Sequence, residues 1–224
     1  MPPSLNVVQE LAVWALPIIC AVTLHEVAHG WVARFLGDPT AAVMGRLSLN
    51  PLRHVDPVGT LLLPGLMIAL RALGLANFFL FGWAKPVPVD ARNFRNPRFD
   101  MAIVAAAGPL ANFAMAILWG LLYKFANPQD VTEGTAYGLQ LMGEAGISIN
   151  LSLMVLNLLP LPPLDGGRIA IGLLPARMAQ EYAQLEPYGI PILMFLAFTG
   201  VLYMFLGPPY VLCLTVLRNL LGLH

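Results

Sequence analysis

The sequence carries little charge for its length of 224 residues. Lys, Arg, Asp and Glu together make up 11% of it, whereas they make up about 25% of a typical soluble domain. Basic and acidic side chains balance at 12 each, so the formal net charge is zero. Because no overall positive field is present to attract a polyanion, we expect no nucleic-acid partner. The scarcity of charge argues against a soluble domain and favours a chain surrounded by lipid.

Cysteine is scarce as well. The two cysteines, Cys20 and Cys213, both lie in apolar runs. We interpret them as small buried apolar side chains rather than as a disulfide or a metal-binding pair. A cleavable signal peptide is not expected, because no Lys or Arg precedes the first apolar run.

Apolar residues dominate instead, at 58% of the chain, with a mean hydropathy of +0.73. A helix needs about 20 apolar residues to cross a bilayer. Long runs cover approximately residues 7–36, 99–125 and 136–159, a shorter one covers 190–206, and the last, 210–223, is too short to predict as a span. The runs predict an all-α polytopic membrane protein, a bundle of about four to six transmembrane helices with a small re-entrant or cytoplasmic β element.

Two stretches suggest that β element. Residues 42–49 resemble a short strand closed by Asn50-Pro51, and residues 78–89 are rich in aromatic and β-branched side chains. The prolines of the second stretch suit an edge strand. We expect such edges to accept an extended substrate peptide.

A histidine pair lies in the middle of the first apolar run, in the motif His25-Glu26-Val27-Ala28-His29. On a helix, His25 and His29 are one turn apart on one face, so both imidazoles can bind one Zn²⁺. Glu26 projects beside them and could serve as the general base that activates water. Because titratable groups inside a membrane span are costly and usually functional, the motif predicts hydrolysis within a bilayer. The alternative is a pair of hydrogen-bonded core histidines that interact with Glu26.

A zinc site needs a third protein ligand, and Asp165 is the best candidate. It follows a proline-rich break at residues 160–163 and is flanked by glycine on its carboxyl side. Unwound backbone at membrane depth is tolerated where it lines a cavity. The alternative is a helix cap in which Asp165 pairs with Arg168.

Basic residues are concentrated between the apolar runs 7–36 and 99–125, and the loop at residues 127–134 has none. The positive-inside rule places this region in the cytoplasm. Since a full crossing by residues 58–81 would put the basic residues of 85–98 outside, we expect 58–81 to re-enter, with a break at Pro64-Gly65. His29 and Asp165 then reach similar depth from the same side. This predicts a multi-pass protein of the cell (inner) membrane with its active site towards the cytoplasm. The basic residues are Arg34, Arg46, Arg53, Lys85, Arg92, Arg95 and Arg98.

Three patterns resemble the site-2 protease family of intramembrane zinc metalloproteases, peptidase family M50. They are the His25–His29 motif, residues 108–112 (Gly-Pro-Leu-Ala-Asn) and residues 157–166 (Asn-Leu-Leu-Pro-Leu-Pro-Pro-Leu-Asp-Gly). Their order and separation are similar to the family core. Within the second pattern, we interpret Gly108 and Asn112 as packing residues.

The resemblance implies specific roles for five residues. His25, His29 and Asp165 would bind one zinc ion per chain, and Glu26 would be the catalytic base. Asn157 would line the site and hold the substrate backbone or the oxyanion. Alternatively, Asn157 only satisfies backbone carbonyls freed by the proline-rich break.

The resemblance covers most of residues 7–175 and also implies an activity. We expect a single domain over 1–224, with C-terminal helices at 176–224. The chain departs from larger members of the family in having no PDZ domain, because only about ten residues separate the runs 99–125 and 136–159, and in having no C-terminal regulatory domain. The implied activity is hydrolysis of peptide bonds within or near transmembrane segments, with a transmembrane protein or peptide as substrate and the lipid bilayer as surroundings. Two alternatives are a metal carrier, which would need ligands along a whole path, and an inactive membrane scaffold, which would have no need of Glu26.

Overall fold

The computed structural model describes residues 7–62, 66, 84–126 and 134–223, and these residues form helices and connecting loops without a β-strand. Two short 3-10 turns and one π-helical turn lie in the connections, at Pro51–Arg53, Ala91–Asn93 and Pro57–Leu62. The α-helices of the described residues are α1 (Val7–Phe35), α2 (Thr40–Val43), α3 (Pro97–Phe125), α4 (Gly134–Asn157), α5 (Asp165–Leu173), α6 (Ala176–Ala183), α7 (Glu186–Phe198) and α8 (Val201–Leu221).

Four of these helices are long and apolar enough to cross a bilayer: Leu11–Phe35 within α1, and the whole of α3, α4 and α8. Each has an apolar core of at least 18 residues with no more than two charged side chains. The prediction of an all-α membrane protein is therefore confirmed, with four candidate spans among the described residues.

The last two apolar runs are divided differently from the prediction. The break falls at Gly200, whose φ of 75° is left-handed, and not at the Pro208-Pro209 pair. Glycine adopts this conformation without a steric penalty and so ends α7 and begins α8. The two prolines lie inside α8, where membrane helices tolerate them. As a result, residues 201–221 form one span where the sequence suggested two shorter pieces.

The predicted β element is wrong for the described residues. Thr40–Val43 is a helix, and the chain then turns at Gly45, with a φ of 65°. The second stretch is described only from residue 84 onward, and residues 84–90 form a loop that belongs to neither a helix nor a strand. Pro86 and Pro88 have no backbone N–H to give to a ladder. Apart from the N–H of Lys85, the hydrogen-bonded backbone groups of this loop have side chains as partners.

Helix α3 is the centre of the bundle and runs antiparallel to both α1 and α4. Near its start, the carbonyl of Val104 contacts His29, and two turns further along Asn112 contacts His25. Asn112 also contacts Asn150 in α4. The later residue of α1, His29, contacts the earlier residue of α3, Val104, and the reverse holds for His25 and Asn112, so α1 and α3 are antiparallel.

Helix α8 packs against α3 and α4 and completes the core. Small residues allow close approach, since a Cβ on Gly120 would lie 2.4 Å from the Leu221 side chain. At the same end, the ammonium group of Lys124 donates to the Leu221 carbonyl at 2.6 Å. The core that these helices share comprises Ala116, Ile147, Leu151, Met154, Val155, Leu217 and Leu221.

The connections on either side of residues 63–83 contact each other. The backbone N–H of Lys85 donates to the carbonyl of His54 at 2.9 Å, and that of Asp90 donates to the Asp38 carboxylate at 2.8 Å. Both flanks therefore lie at the end of α1 where that helix finishes. The predicted re-entrant break at Pro64-Gly65 lies outside the described residues.

Candidate metal centre

The candidate metal centre combines side chains from α1 and α5. His25 and His29 lie one turn apart on α1, and Asp165 is the first residue of α5. The Nε2 atoms of the two histidines are 3.1 Å apart. Asp165 Oδ2 lies 3.2 Å from Nε2 of His25 and 3.3 Å from Nε2 of His29. The three residues that the sequence suggested as ligands thus lie together, although His29 and Asp165 are 136 positions apart in the chain (165 − 29).

Two of the atoms that face one another, His29 Nε2 and Asp165 Oδ2, are electron-pair donors. The Val104 carbonyl can only accept, so His29 Nδ1, 2.7 Å away, carries the ring proton and Nε2 has a lone pair. Asp165 Oδ2 is buried and receives no hydrogen bond. A lone pair and a carboxylate oxygen at 3.3 Å repel each other unless a cation lies between them.

This arrangement fits a tetrahedral zinc ion. Zinc bonds of about 2.0–2.2 Å to nitrogen and oxygen place two ligand atoms of a tetrahedron about 3.3–3.5 Å apart. The observed separations of 3.1–3.3 Å are close to this value. Two imidazoles and one carboxylate are a donor set that zinc prefers over magnesium or calcium.

A tightly folded loop delivers Asp165 to the site. A Cβ on Gly166 would lie 2.3 Å from the carbonyl oxygen of Leu158, and one on Gly167 would lie 2.3 Å from the nitrogen of Pro162. Only glycine fits where the backbone folds back this closely. The ion-pair contacts of Asp165 go to His25 and His29 rather than to Arg168, so the side chain does not pair as the cap hypothesis expected.

Helix α3 forms a wall beside the histidines. A Cβ on Gly108 would lie 2.5 Å from both His25 Cε1 and His29 Nε2. One turn further along, the Asn112 side-chain oxygen is 2.6 Å from His25 Nδ1. Both residues were interpreted as packing residues. Gly108 does pack, but against the imidazoles, while Asn112 contacts one of them through a polar atom.

Glu26 receives a hydrogen bond from outside the helices. Its Oε2 accepts from the backbone N–H of Val87 at 2.8 Å. Because the neighbours Pro86 and Pro88 carry no N–H, Val87 supplies the backbone donor at this point of the loop. The sequence reasoning did not anticipate the contact, although a single N–H between two prolines was visible there.

Asn157 lies at the end of α4, and its side chain bonds within its own helix. Its amide Nδ2 donates to the carbonyl of Leu153 at 3.0 Å. This hydrogen bond connects it to neither the histidines nor Asp165. The buried side chain of His54 is directed elsewhere as well, with Nε2 at 2.8 Å from the Ser48 carbonyl.

Comparison with known proteins identifies the family. The sequence profile of peptidase family M50 matches residues 137–200, which include the whole Asn157–Gly166 pattern and its aspartate. The chain is 38% identical over 186 residues to "Putative zinc metalloprotease YwhC" of Bacillus subtilis, which covers 82% of this chain and 79% of that protein. The chain belongs to peptidase family M50. The resemblance to site-2 proteases is thereby confirmed.

Other relatives of this M50 chain are longer. "Putative zinc metalloprotease Rip2" of Mycobacterium tuberculosis is 33% identical over 173 residues, which cover 76% of this chain and 54% of Rip2. "Regulator of sigma-E protease RseP" of Salmonella typhimurium is 33% identical over 116 residues, which cover 50% of this chain and 25% of RseP. No solved structure matches the chain significantly. The M50 chain is therefore a metalloprotease, and its apolar helices make it a membrane protein.

Proposed function

We propose that this M50 protein is an intramembrane zinc metalloendopeptidase that cleaves membrane proteins within or near their transmembrane segments. The observation that carries the proposal is the meeting of His25, His29 and Asp165 beside Glu26, with three of these four residues inside the candidate span Leu11–Phe35. Ionisable side chains are energetically unfavourable inside a membrane, and those that occur there usually have a function.

The three ligand candidates would hold one zinc ion per chain. Zinc bound there would lower the pKa of a water molecule towards about 7 and polarise a peptide carbonyl. The chain itself contributes the orientation of the ligands. The Val104 carbonyl fixes one imidazole, and the tight loop before α5 fixes the carboxylate.

Glu26 is the proposed general base. The hydrogen bond from Val87 holds Oε2 in place and leaves Oε1 to take a proton. When the peptide bond breaks, the same carboxyl group would donate this proton to the departing amine. Asn157 is proposed to hold the substrate backbone or the oxyanion, because its Nδ2 has a second hydrogen beyond the one given to Leu153.

The proposed setting is the cell (inner) membrane, with the site towards the cytoplasm. The end of α1 that carries His29 leads into connections rich in basic residues, among them Arg46, Arg53 and Lys85. Positive charge of this kind favours the cytoplasmic side. A transmembrane substrate would have to unwind locally, since a helix keeps its carbonyls in hydrogen bonds.

The substitution Glu26→Gln tests the proposed function. Gln keeps the shape and still accepts the hydrogen bond from Val87, but it cannot take a proton. We expect cleavage of a labelled single-span peptide, in lipid vesicles that contain the purified protein, to fall by about 10²–10⁴-fold. Zinc content, measured by mass spectrometry of the metal, should stay at one ion per chain.

The matched control is Glu144→Gln, at an exposed position of α4. It makes the same chemical change in another candidate span and should leave cleavage unaltered. Turnover by Glu26→Gln at the wild-type rate would refute the general-base role, and wild-type protein without zinc would refute the metal centre.

A further inference from the structure

Two asparagine side chains lie completely buried between the spans. Asn112 on α3 and Asn150 on α4 both have no exposed surface. Two neutral amides in a bilayer core are unfavourable unless each polar atom finds a partner. Their hydrogen bonds account for both side-chain oxygens and both nitrogens, and they lead from a backbone carbonyl to the candidate metal centre.

The orientation of Asn150 is set by a group that cannot rotate. Its Nδ2 donates to the carbonyl of Gly146 at 2.8 Å, one turn earlier on α4. Turning the amide around would place its oxygen against that carbonyl oxygen, and two acceptors would repel each other. Asn150 Oδ1 is therefore presented to α3.

The orientation of Asn112 follows from that of Asn150. Its Nδ2 donates to Asn150 Oδ1 at 2.9 Å and also approaches the Ala21 carbonyl at 3.3 Å. Since both neighbours are acceptors, the nitrogen of Asn112 must face them. Its oxygen then faces His25 Nδ1 at 2.6 Å.

We propose that Asn112 is a positioning residue that holds His25 with the proton on Nδ1 and the lone pair on Nε2, and that Asn150 locks Asn112 in that orientation. The inference rests on the proposed function, because it assigns His25 as a metal ligand. The Val104 carbonyl holds the ring of His29 in the same way, with the proton on Nδ1. A histidine whose remote nitrogen is fixed in this way binds a metal with the correct tautomer and ring angle.

The first test compares Asn112→Leu with Asn112→Asp. Leu has a similar volume and no acceptor, so it should lower zinc affinity about 10–100-fold, measured by competition with a chelator. Asp, protonated at this buried position, keeps an oxygen for Nδ1 and donates its O–H to Asn150 Oδ1, so it should retain affinity within about threefold, a smaller change than loss of the acceptor is expected to cause. Asn219→Leu on the exposed side of α8 is the matched control and should bind zinc like the wild type.

A second measurement does not depend on bound zinc. Nitrogen NMR of metal-free protein labelled in its four histidines reports which ring nitrogen carries the proton. The signals of His25 are assigned by their loss in His25→Ala. We expect the Nδ1–H form in the wild type and in Asn112→Asp, and a mixture of tautomers in Asn112→Leu. A role limited to packing would change stability and leave the tautomer alone.

The locking role of Asn150 has its own pair of variants. Asn150→Leu leaves only the Ala21 carbonyl, at 3.3 Å, to orient the amide of Asn112, so zinc affinity should fall and tautomers should mix. Asn150→Asp, protonated at this buried position, still donates to Gly146 and accepts from Asn112, and should behave like the wild type.

The outcomes separate the two proposals. Wild-type protein that binds no zinc overturns the proposed function and this inference with it. A wild type that binds zinc no more tightly than Asn112→Leu, or that carries the His25 proton on Nε2, overturns the positioning role alone. Equal behaviour of Asn150→Leu and the wild type overturns the lock.

Discussion

At the scale of single residues, Gly108 leaves the least room for change. A methyl group there would lie 2.5 Å from atoms of both imidazoles, well inside van der Waals contact. Neither ring can yield freely, because His29 Nδ1 is bonded to Val104 and His25 Nδ1 to Asn112. The absence of a side chain at this position is therefore a requirement of the site and not only of helix packing.

The substitution Gly108→Ala should lower zinc affinity by about 10–100-fold, the range found when the surroundings of metal ligands are disturbed. The affinity is measured by chelator competition on purified protein. Gly138→Ala is the matched control, because a Cβ at Gly138 meets nothing within 4 Å. Unchanged affinity in Gly108→Ala would show that α3 can withdraw from the histidines without consequence.

Spacing along the chain was sufficient to suggest the residues that meet in the site. Two histidines four positions apart share a helix face whatever the rest of the fold does, and Asp165 stood out because it follows a helix break. Asn112 was not recognised as a partner of His25, since that contact depends on how α1 and α3 cross. Its signal was present in the sequence: Asn112 lies one turn after Gly108, on the face that approaches the motif.

At the scale of elements, Asp38 connects the end of α1 to the segment before α3. It has no exposed surface, and its carboxylate accepts from the backbone N–H groups of Thr40 and Asp90 and from the side chain of Asn93. Burial alone would raise the pKa of Asp38, but the hydrogen bonds from Thr40, Asp90 and Asn93 outweigh it and hold the pKa below the usual value. The same segment carries Val87 to Glu26.

Acid should weaken this connection. A carboxyl group with a lowered pKa stabilises the fold fully above its unfolded-state pKa of about 3.9, and this contribution disappears as the pH falls through the lower folded value. We expect Asp38→Asn to lose about 1.5–3 kcal/mol at pH 7, since the amide of Asn can accept at only one of the two oxygen positions and its nitrogen would face a donor that the carboxylate satisfies in the wild type. Its thermal stability in detergent should also depend less on pH below about 4 than that of the wild type.

The control for that experiment is Glu186→Gln at an exposed position of α7. It removes one carboxylate without touching the connection. If Asp38→Asn matches the wild type both in stability at pH 7 and in its acid profile, Asp38 does not anchor the segment.

The sequence did not predict how the segment near Val87 is held. Prolines and β-branched residues favour an extended strand, but residues 84–90 form a loop outside any helix or strand. What the pattern could not show is that side chains would satisfy this backbone: Arg46 donates to the carbonyls of Lys85 and Pro86, and Glu26 accepts from Val87. The sequence pattern therefore suggested a sheet at a position where hydrogen bonds with side chains hold a loop.

At the scale of the whole molecule, the contacts between the two flanks of residues 63–83 favour the predicted topology. The His54–Lys85 and Asp38–Asp90 hydrogen bonds require both flanks to lie on the same side of the bilayer. Among the described residues, the spans in α1, α3 and α4 were predictable from hydropathy, whereas the span α8 and the contact between the flanks were not.

Labelling of single cysteines tests this topology. Leu52→Cys, Asn96→Cys and Thr135→Cys, all at exposed positions, are made separately in protein whose Cys20 and Cys213 are replaced by alanine. With a membrane-impermeant maleimide applied to intact cells, we expect only position 135 to react. Permeabilised cells provide the control, in which all three should react. Reaction at position 96 but not at 52 would show that the intervening stretch crosses the membrane.

The buried amides also bear on how the helices come together during insertion. Apolar helix surfaces slide past one another in lipid with little preference for height, because each level offers the same kind of contact. A slip of one residue shifts a helix by about 1.5 Å, which is enough to break the 2.6 Å bond between Asn112 and His25 and the 2.9 Å bond between Asn112 and Asn150. In the lipid interior no water replaces the lost partners. Correct vertical alignment of α1, α3 and α4 and a histidine ready for metal are therefore reached in the same step of assembly.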